Sequence, residues 1–378
     1  MGSKLSLLGE IRAVLADHGV GPGTFCDLFS GTSVVAQMAR LDGHTVVAND
    51  WQAYSRVLQE AFLLSQGYPA FARLQAAEPA LATAPPDRPR AGMGLAEDPG
   101  LRADTLPLRR VLAHLEGLPP VEGPFFHAYC EGGEAGRCYF SRANGARCEA
   151  IRGRIAAWQA AGLLDAAEHA LLVASLLDTM DHLANTASVY GAHLKHLKAS
   201  ARHPLVLRLP RLAPADGRAH RACSEDAATL VGRLAVGETL DVLYLDPPYN
   251  HRQYAANYHL LETLARWDLD AFTPRGKTGL RPEANQRSAF CSRPGVRGAF
   301  AGVLQAARAR HILVSYSQEG LLPEAELQAL LREKAAGGTV DFRRVAYRRF
   351  RADVDHAARR YKGDAVEEFL FYVRVAGA

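Results

Sequence analysis

Short apolar segments alternate with helical segments in residues 24–67, and this alternation constrains the fold of the chain most strongly. The strand-like segments are TFCDLF and HTVVAND, and the helix-like segments are SGTSVVAQMARL and WQAYSRVLQEAFLLSQG. Strand, helix, strand and helix within about 45 residues are typical of the opening of a parallel α/β sheet. The first prediction is therefore an α/β fold with a Rossmann-like parallel sheet.

The rest of the chain extends this prediction. Residues 5–18 carry apolar positions at helical spacing, and residues 151–201 read as the helical segments IRGRIAAWQAAGLL, DAAEHALLVASLLDTMDHLANTA and SVYGAHLKHLK. Strand character returns in LVLRLP, TLDVLYLD and RHILVSYS, and the C-terminal DFRRVAYRRFR and VEEFLFYVRV read as an antiparallel hairpin with a long basic connection. The predicted domains are an N-terminal part of the sheet domain (1–84), a flexible loop rich in Pro and Gly (85–110), an inserted and mainly helical subdomain (111–204) and a C-terminal catalytic part (205–378).

Positive charge is concentrated in three segments, although the 378-residue chain has a formal net charge of only +4. Residues 193–221 hold seven Lys or Arg against one acid, 273–297 hold six against one, and 343–362 hold eight against two. The last segment also contains Tyr347, Phe350 and Tyr361. Basic segments interleaved with aromatic residues indicate a polyanionic partner, most simply a nucleic acid.

The six cysteines contain no CxxC pair, so reduced thiols and no metal site are predicted. No apolar run approaches the roughly 20 residues that a membrane-spanning helix needs. We therefore expect a cytoplasmic protein that contacts no membrane.

The segment FCDLFSGTSVVA places Asp27 at the end of a strand and a turn of small residues before a helix. Backbone N–H groups at such a turn can approach a ligand closely. The GxGxxG spacing of dinucleotide-binding proteins is missing, because Gly31 is the turn's only glycine. The next strand leads into Asp50 and Trp51, an acid that could accept bonds from ribose hydroxyls and a ring that could cover an adenine. A plain βα turn with a helix cap remains the alternative.

The segment LYLDPPYN ends a buried strand on an acid, two prolines and a tyrosine. The prolines force the chain off the sheet, so Asp246 and the Pro247 carbonyl converge as two acceptors beside the flat ring of Tyr249. Two acceptors and a stacking ring suit the exocyclic amino group of a planar base. Hydrogen bonds to both N–H groups would draw that nitrogen toward pyramidal geometry and free its lone pair to attack a sulfonium methyl group. A base in a duplex must be flipped out to reach such a pocket.

With these segments, the chain resembles the Dam-type DNA adenine-N6 methyltransferases, and in particular their restriction-modification branch. The segments that carry the resemblance are DLFSGTSVVA, VVANDW, YFSRANGARCEAIRGRIAAW, LLVASLLDTMDHLANTASVYGAHLK, DPPYN, RQYAANYHLLETLARWD, HILVSYSQEGLL and VEEFLFYV. The resemblance implies a class I S-adenosyl-L-methionine-dependent fold, double-stranded DNA as substrate and a cognate restriction endonuclease as partner.

Site residues follow from the same resemblance. It implies that the methionine side of the cofactor is lined by Asp27, Phe29, Gly31 and Ser33, the ribose and adenine by Asp50 and Trp51, and the adenine amine by Asp226, with Glu225 as second choice. It implies that catalysis belongs to Asp246, Pro247, Pro248 and Tyr249, with Asp246 also beside the cofactor. Two features depart from the family: Ser33 replaces a glycine, and the N-terminal GGK-type segment is not visible.

DNA contacts are expected directly after the catalytic segment, at Asn250, Arg252, Gln253, Tyr254 and Tyr258, which could reach phosphates beside a flipped nucleotide. The segments that could read the DNA sequence are 273–297 and the insertion at 125–200.

Three alternatives remain open from the residues alone. These are a DNA cytosine-N4 methyltransferase, an RNA amino-methyltransferase and a catalytically inactive DNA-binding module. Cytosine-C5 methylation is excluded, because it needs a cysteine nucleophile after a proline and no cysteine here follows one.

Overall fold

A computed structural model describes residues 4–83, 90–98, 102–187, 190–282, 286–348 and 365–377. The chain divides into two compact units, each built from separate stretches of sequence. The sheet unit comprises residues 2–56, 218–255 and 283–378, and the helical unit comprises residues 57–217 and 256–282.

The strands are β1 (Thr24–Asp27), β2 (Thr45–Asn49), β3 (Arg90–Ala91), β4 (Arg208–Leu209), β5 (Arg221–Cys223), β6 (Leu240–Leu245), β7 (Ala309–Ser317), β8 (Val340–Arg348) and β9 (Ala365–Arg374). The α-helices are α1 (Leu8–Asp17), α2 (Val34–Leu41), α3 (Ala53–Gln59), α4 (Ala72–Ala77), α5 (Ala80–Thr83), α6 (Leu106–Glu116), α7 (Pro124–Tyr129), α8 (Arg142–Ala160), α9 (Ala166–Leu183), α10 (Ala227–Gly237), α11 (Tyr254–Asn257), α12 (His259–Arg266), α13 (Val296–Ala306) and α14 (Glu324–Ala335).

The sheet unit is built on a seven-stranded sheet with the strand order β5-β2-β1-β6-β7-β9-β8. The first five strands of this order are parallel, whereas β9 runs antiparallel to both β7 and β8. Parallel strands are covered on both faces and are therefore apolar along their length. In β6, for example, Val242, Leu243, Tyr244 and Leu245 are all buried. The predicted α/β class with a mostly parallel central sheet is confirmed.

One face of this sheet is covered by α10, α13 and α14. These helices contribute a row of buried apolar side chains to one core with the strands, including Leu230, Val231, Leu234, Phe300, Val303, Leu304, Leu327 and Leu331. Each buried side chain of this size contributes roughly 1.5–3 kcal/mol relative to leaving it in water. This packing fixes the strand ends on which the candidate site is built.

The helical unit is dominated by α8 and α9. The Ser141 hydroxyl accepts from the Asn144 amide at the start of α8, and α9 begins with a reciprocal capping box between Asp165 and Glu168. Both caps satisfy amides that the first helical turn leaves without partners.

The structure differs from the sequence prediction at several places in the helical unit. Residues 190–198 form no helix; the Asn185 carbonyl and side chain bind the amides of Leu194 and Lys198 and so divert the chain from helical bonding. Part of the predicted loop 85–110 is structured, because β3 pairs with β4 and α6 begins at Leu106. The helical unit also extends on both sides of the predicted insertion 111–204.

At the C-terminus, β8 and β9 pair antiparallel from Val340 opposite Val373 to Arg348 opposite Ala365. The predicted basic connection between them, with Phe350 and Tyr361, lies outside the described residues.

Candidate active site

Three acids lie at the carboxyl ends of neighbouring parallel strands. Strand β1 ends at Asp27, Asp50 follows the last residue of β2, and Asp246 follows the last residue of β6. Strand β1 pairs with β2 on one side and with β6 on the other. Because ligands of such sheets bind beyond the carboxyl ends of the strands, the three acids singled out from the sequence meet at the expected edge.

The turn after β1 is fixed by the end of β2. The Gly31 amide donates to Asp50 Oδ2 (2.8 Å), and the Ser30 amide donates to the Asn49 carbonyl (2.8 Å). Asp50 Oδ1 accepts from the Gln52 amide (2.9 Å). Asp50 therefore orients the turn within the protein, and its contact with a ribose stays a prediction.

Two residues of this turn adopt left-handed backbone conformations, Gly31 with φ +50° and Ser33 with φ +61°. Glycine adopts this region without a steric cost, whereas other residues do so rarely. Ser33 is fully buried, and its hydroxyl oxygen accepts from the Ser30 hydroxyl (3.1 Å). The serine that replaces the glycine of Dam-type enzymes thus keeps a glycine-like backbone.

The Asp27 carboxylate is buried, and neither of its oxygens accepts a hydrogen bond of good geometry among the described residues, although the Ala36 amide and the Ser30 hydroxyl lie near enough to oppose the rise of its pKa. Burial, followed by the nearby carboxylates of Asp246 and Asp50, raises the pKa of Asp27 well above its ordinary value. A buried carboxyl group without a partner is costly, so such a group is typical of a place where a ligand supplies the missing charge or donors.

The Asp246 carboxylate forms an ion pair with Lys4, whose Nζ lies 3.3 Å from Oδ1. Lys4 also pairs with Glu368, and Glu368 Oε1 accepts from the Ser315 hydroxyl (2.8 Å). Burial raises the pKa of Asp246 to about 6, while the Lys4 charge opposes that rise and the Glu368 charge adds to it. Burial alone would lower the pKa of Lys4, but the carboxylates of Asp246 and Glu368 outweigh it and raise that pKa.

Lys4 and Glu368 were missed in the sequence analysis. Glu368 lies in line with Leu370 and Tyr372 on one side of an apolar strand, and an acid at such a position was the available signal. Lys4 gave no signal, because its partners are distant in sequence; Glu368 lies 364 positions away.

The two prolines and Tyr249 follow Asp246 as the chain leaves the sheet. Pro247 is buried and Pro248 half-buried, and the half-buried Tyr249 packs against the core of the sheet unit. The Tyr249 carbonyl accepts from the Leu321 amide (2.9 Å). The tyrosine is thus attached to the sheet unit through its backbone.

A scan against protein families identifies the group to which this arrangement belongs. The model described as "D12 class N6 adenine-specific DNA methyltransferase" matches residues 1–76 and 134–329. The chain belongs to this family. Both Lys4 and the segment from Asp246 to Tyr249 lie inside the matched residues, whereas Glu368 lies beyond them.

Several curated relatives match nearly the whole methyltransferase. The type II methyltransferase M.NlaIII of Neisseria lactamica is 35% identical over 98% of this chain and 97% of its own length. The type II methyltransferase M.FokI of Planomicrobium okeanokoites is 31% identical over 99% of this chain and 52% of its own length. The modification methylase StsI of Streptococcus sanguinis is 30% identical over 99% of this chain and 51% of its own length. No solved structure matches the chain. The prediction of a DNA adenine-N6 methyltransferase is confirmed.

Other predicted cofactor residues of the methyltransferase have protein partners. Asp226 caps α10 by accepting from the Thr229 amide (3.1 Å), and Glu225 forms an ion pair with Arg233 (2.6 Å). Phe29 contacts Phe290 edge to face, with ring centroids 5.1 Å apart. The Trp51 carbonyl lies 3.5 Å from the side-chain amide nitrogen of Gln286. None of these contacts tests a cofactor role, and the predictions stand.

The predicted DNA contacts of the methyltransferase fall into both units. Asn250 Oδ1 accepts from the Arg252 amide (2.9 Å), and the Arg252 side chain is exposed. Gln253 binds the Ser288 backbone, accepting from its amide (2.8 Å) and donating to its carbonyl (3.4 Å). Tyr254 belongs to the sheet unit and Tyr258 to the helical unit; both are half-buried.

Part of each basic segment is used in internal ion pairs. Arg208 pairs with Asp178, Arg281 with Asp268, and Arg344 with Glu324. The Tyr347 side chain and residues 349–364 lie outside the described part of the structure.

The six cysteines are free thiols. Among the described residues, no group of His, Cys, Asp and Glu side chains is arranged to hold a metal ion. In the same part of the chain, no helix has the length and apolar composition needed to cross a membrane.

Proposed function

We propose that this methyltransferase has the class I S-adenosylmethionine-dependent fold and methylates N6 of an adenine that is flipped out of double-stranded DNA. S-adenosyl-L-methionine, when bound, supplies the electrophilic methyl group. The proposal is supported by the family, by the strand order with β1 between β2 and β6, and by the three acids at the carboxyl ends of these strands.

The carboxylates and the aromatic ring at this site fit a nucleoside that carries a positive charge. Asp27 offers two buried oxygens without hydrogen-bond partners, which suit the positive charge of the methionine part of the cofactor. The turn at Phe29, Gly31 and Ser33 would line the methionine side. Asp50 and Trp51 would bind the ribose and the adenine ring, and Asp226, or Glu225 as second choice, would accept from the adenine amine.

The substrate adenine is assigned to the segment Asp246–Tyr249. In this proposal Asp246 and the Pro247 carbonyl accept from the two N6 hydrogens, Pro248 fixes the backbone, and Tyr249 stacks on the flipped base. Lys4 and Glu368 position the Asp246 carboxylate. The single observation that carries the proposal is that Asp246, paired with the half-buried Lys4, and Asp27 lie at the carboxyl ends of the neighbouring strands β6 and β1.

Replacing the catalytic acid tests this assignment. Asp246→Ala should abolish methyl transfer because the N6 hydrogens lose an acceptor, whereas cofactor affinity should stay within about tenfold, or ~1.4 kcal/mol. Sequencing that reports modified bases, on DNA from cells expressing each protein, should show N6-methyladenine at one motif for the wild type and none for the variant. Methylation by Asp246→Ala at the wild-type level would refute the assignment.

Two of the relatives described above are named type II methyltransferases and the third a modification methylase. We propose that this chain likewise serves a restriction-modification system, with duplex DNA as substrate, a cognate restriction endonuclease as companion and a place in the cytoplasm with the nucleoid DNA. Cellular DNA methylated at one short motif should then resist an endonuclease that cleaves that motif, and full cleavage would contradict this role.

A further inference from the structure

The segment Arg275–Leu280 forms a closed turn in the helical unit. The Arg275 amide donates to the Leu280 carbonyl and the Leu280 amide donates to the Arg275 carbonyl, both at 2.8 Å. Gly276 and Gly279 adopt left-handed conformations, with φ +66° and +72°. The two ends of the turn are therefore held together by reciprocal backbone hydrogen bonds.

Side chains from elsewhere in the helical unit hold successive carbonyls of this turn. Arg137 donates to the carbonyls of Gly276 (2.8 Å) and Lys277 (3.2 Å). The fully buried Tyr139 donates to the Thr278 carbonyl (3.0 Å), and the fully buried Tyr129 donates to the Gly279 carbonyl (2.9 Å). Nε2 of His259 lies 2.9 Å from the Thr278 carbonyl.

The backbone also fits closely against its supports. A Cβ atom added at Gly279 would lie 2.7 Å from a ring carbon of Tyr129 and 2.9 Å from Nε of Arg137. Only glycine allows this approach together with the left-handed φ. Each carbonyl from Gly276 to Gly279 thus faces a donor or ring nitrogen of the supporting side chains.

The two charged side chains of the turn lie in solvent. Arg275 and Lys277 are exposed, and neither pairs with a carboxylate among the described residues. Arg281, just after the turn, is different: it is mostly buried and forms a bidentate pair with Asp268, with both contacts at 2.7 Å. The basic segment 273–297 therefore contains both a structural arginine and an exposed basic turn.

A rigid backbone that presents two exposed cations favours binding to a partner with closely spaced negative charges. Fixing the backbone in advance lowers the entropy lost on binding, and Lys and Arg side chains on such a frame suit phosphates, which fix the register of a protein on a duplex. We propose that the turn Arg275–Leu280 is a DNA-contacting element in which Arg275 and Lys277 bind backbone phosphates of duplex DNA. The proposal rests on duplex DNA being the substrate, but not on the role of Asp246.

Charge removal is the direct test. Arg275→Gln and Lys277→Gln are compared with Arg73→Gln, which removes an exposed charge from α4 of the same unit. Binding to a fluorescent duplex of about 25 base pairs is measured over a range of salt concentrations. Each turn variant should lower the slope of log K against log salt by about 0.9, and the double variant by about twice that. The Arg73 variant should match the wild type.

Charge-preserving variants separate phosphate contacts from other effects. Arg275→Lys and Lys277→Arg should keep the wild-type salt slope on every duplex tested, because a phosphate accepts either cation. If they lose as much affinity as the glutamine variants, or if a glutamine variant changes the wild-type discrimination between duplexes that differ by one base pair, the phosphate assignment is wrong. An unchanged slope in the double glutamine variant would show that the turn does not contact DNA.

The supports give a second test that leaves the charges intact. Tyr129→Phe removes the hydroxyl that holds the Gly279 carbonyl, so we expect two- to fivefold weaker DNA binding with an unchanged salt slope. Wild-type affinity in this variant would overturn the role of the rigid backbone. Cofactor affinity is measured in parallel and should not change in any of these variants. Asp246→Ala should bind DNA with the wild-type slope, so failure of the catalytic assignment and failure of this one are distinguishable.

Discussion

The Asp246 carboxylate is poised by two groups of opposite charge, Lys4 at 3.3 Å and Glu368 beyond it. The proposed role of Asp246 needs its ionised form, because only that form accepts from an N6 hydrogen without carrying a competing O–H donor of its own. With a pKa raised to about 6, the fraction ionised changes in the range where enzymes are assayed. The negative charge of Asp246 also contributes to the raised pKa of Asp27.

This arrangement predicts opposite pH shifts for two variants. Lys4→Met removes the cation that favours the ionised form of Asp246, so the acidic limb of kcat/KM should move to higher pH. Glu368→Gln removes the anion that opposes ionisation, so the limb should move to lower pH. Well below the pKa, a shift of one unit changes the rate by about tenfold. The control Arg12→Gln, which removes an exposed arginine of α1, should leave the profile unchanged. Shifts in the same direction for both variants would contradict the pairing.

At the level of single residues, the sequence predicted the acids whose position depends only on where a strand ends. Asp27, Asp50 and Asp246 each end or follow an apolar strand, and parallel strands bring such ends together. Lys4 and Glu368 could not be found in this way, because their meeting depends on how the chain termini fold onto the sheet. Gln253, predicted to contact DNA, binds the Ser288 backbone through both ends of its amide, and its contact with DNA stays a prediction.

Among the elements, the turn between β1 and α2 concentrates strained backbone at the candidate cofactor site. A residue other than glycine in the left-handed region costs roughly 1–2 kcal/mol. Gly31→Ala should therefore lower the free energy of unfolding by about 1 kcal/mol. It should also weaken cofactor binding, because the Gly31 amide that donates to Asp50 must move. Ser33→Gly relieves strain at φ +61° but loses the bond to Ser30, so its stability should stay within about 1 kcal/mol of the wild type. Urea unfolding and calorimetry measure both effects. A Ser33→Gly variant less stable than Gly31→Ala would contradict this account.

The helical unit contains a buried arginine that terminates a helix. Arg152, on α8, donates to the carbonyls of Leu264 (2.7 Å) and Ala265 (3.0 Å) at the end of α12 and lies over the Trp267 ring. Arg152→Met should lower the free energy of unfolding by about 2–4 kcal/mol, because buried carbonyls lose charged donors. Arg154→Met, on the same helix but half-exposed with a 3.7 Å contact to Glu78, should cost less than about 1 kcal/mol. Equal losses in the two variants would show that Arg152 does not stabilise α12.

Helices and strands could be predicted where apolar residues recur at a regular spacing or where an apolar run ends abruptly. β1, β2, β6 and β7 were found because apolar runs stop at polar or proline-containing segments. β5 has only three residues and β3 two, so no period exists to detect, whereas β4 lies within the predicted strand segment LVLRLP. The helix predicted over residues 188–198 was wrong for 190–198, because bonds from Asn185 replace helical ones.

For the whole molecule, the division into units was the least predictable feature. Residues 256–282 belong with residues 57–217 although they follow the catalytic segment. Two of the unit boundaries, 56/57 and 255/256, fall inside α3 and α11 rather than in a linker, so neither composition nor periodicity changes there. Contacts between residues distant in sequence decide such a division, and one sequence contains no direct signal of them.

For the whole molecule, cofactor binding should be coupled to the protonation of Asp27 and Asp246. In the free protein, burial and neighbouring carboxylates hold the pKa of Asp27 well above its ordinary value and that of Asp246 at about 6. Asp246 is therefore partly protonated near pH 6, and Asp27 keeps its proton to a higher pH than an ordinary carboxyl group does. A bound cation favours the ionised carboxylate and lowers both pKa values, so binding of S-adenosylmethionine at that pH should release protons.

Calorimetry in two buffers of different ionisation enthalpy measures this release as a difference in binding heat. S-adenosylhomocysteine, whose sulfur is uncharged, should release fewer protons than S-adenosylmethionine. Asp27→Asn, which cannot ionise, should reduce the release for both ligands without unfolding the protein, because the amide has nearly the same shape. As pH rises above the folded pKa values the acids are already ionised, and the release should fade. Equal heats in the two buffers at pH 6 would mean that Asp27 does not face the cofactor. The proposal that its carboxylate binds the positively charged part of the cofactor would then be wrong.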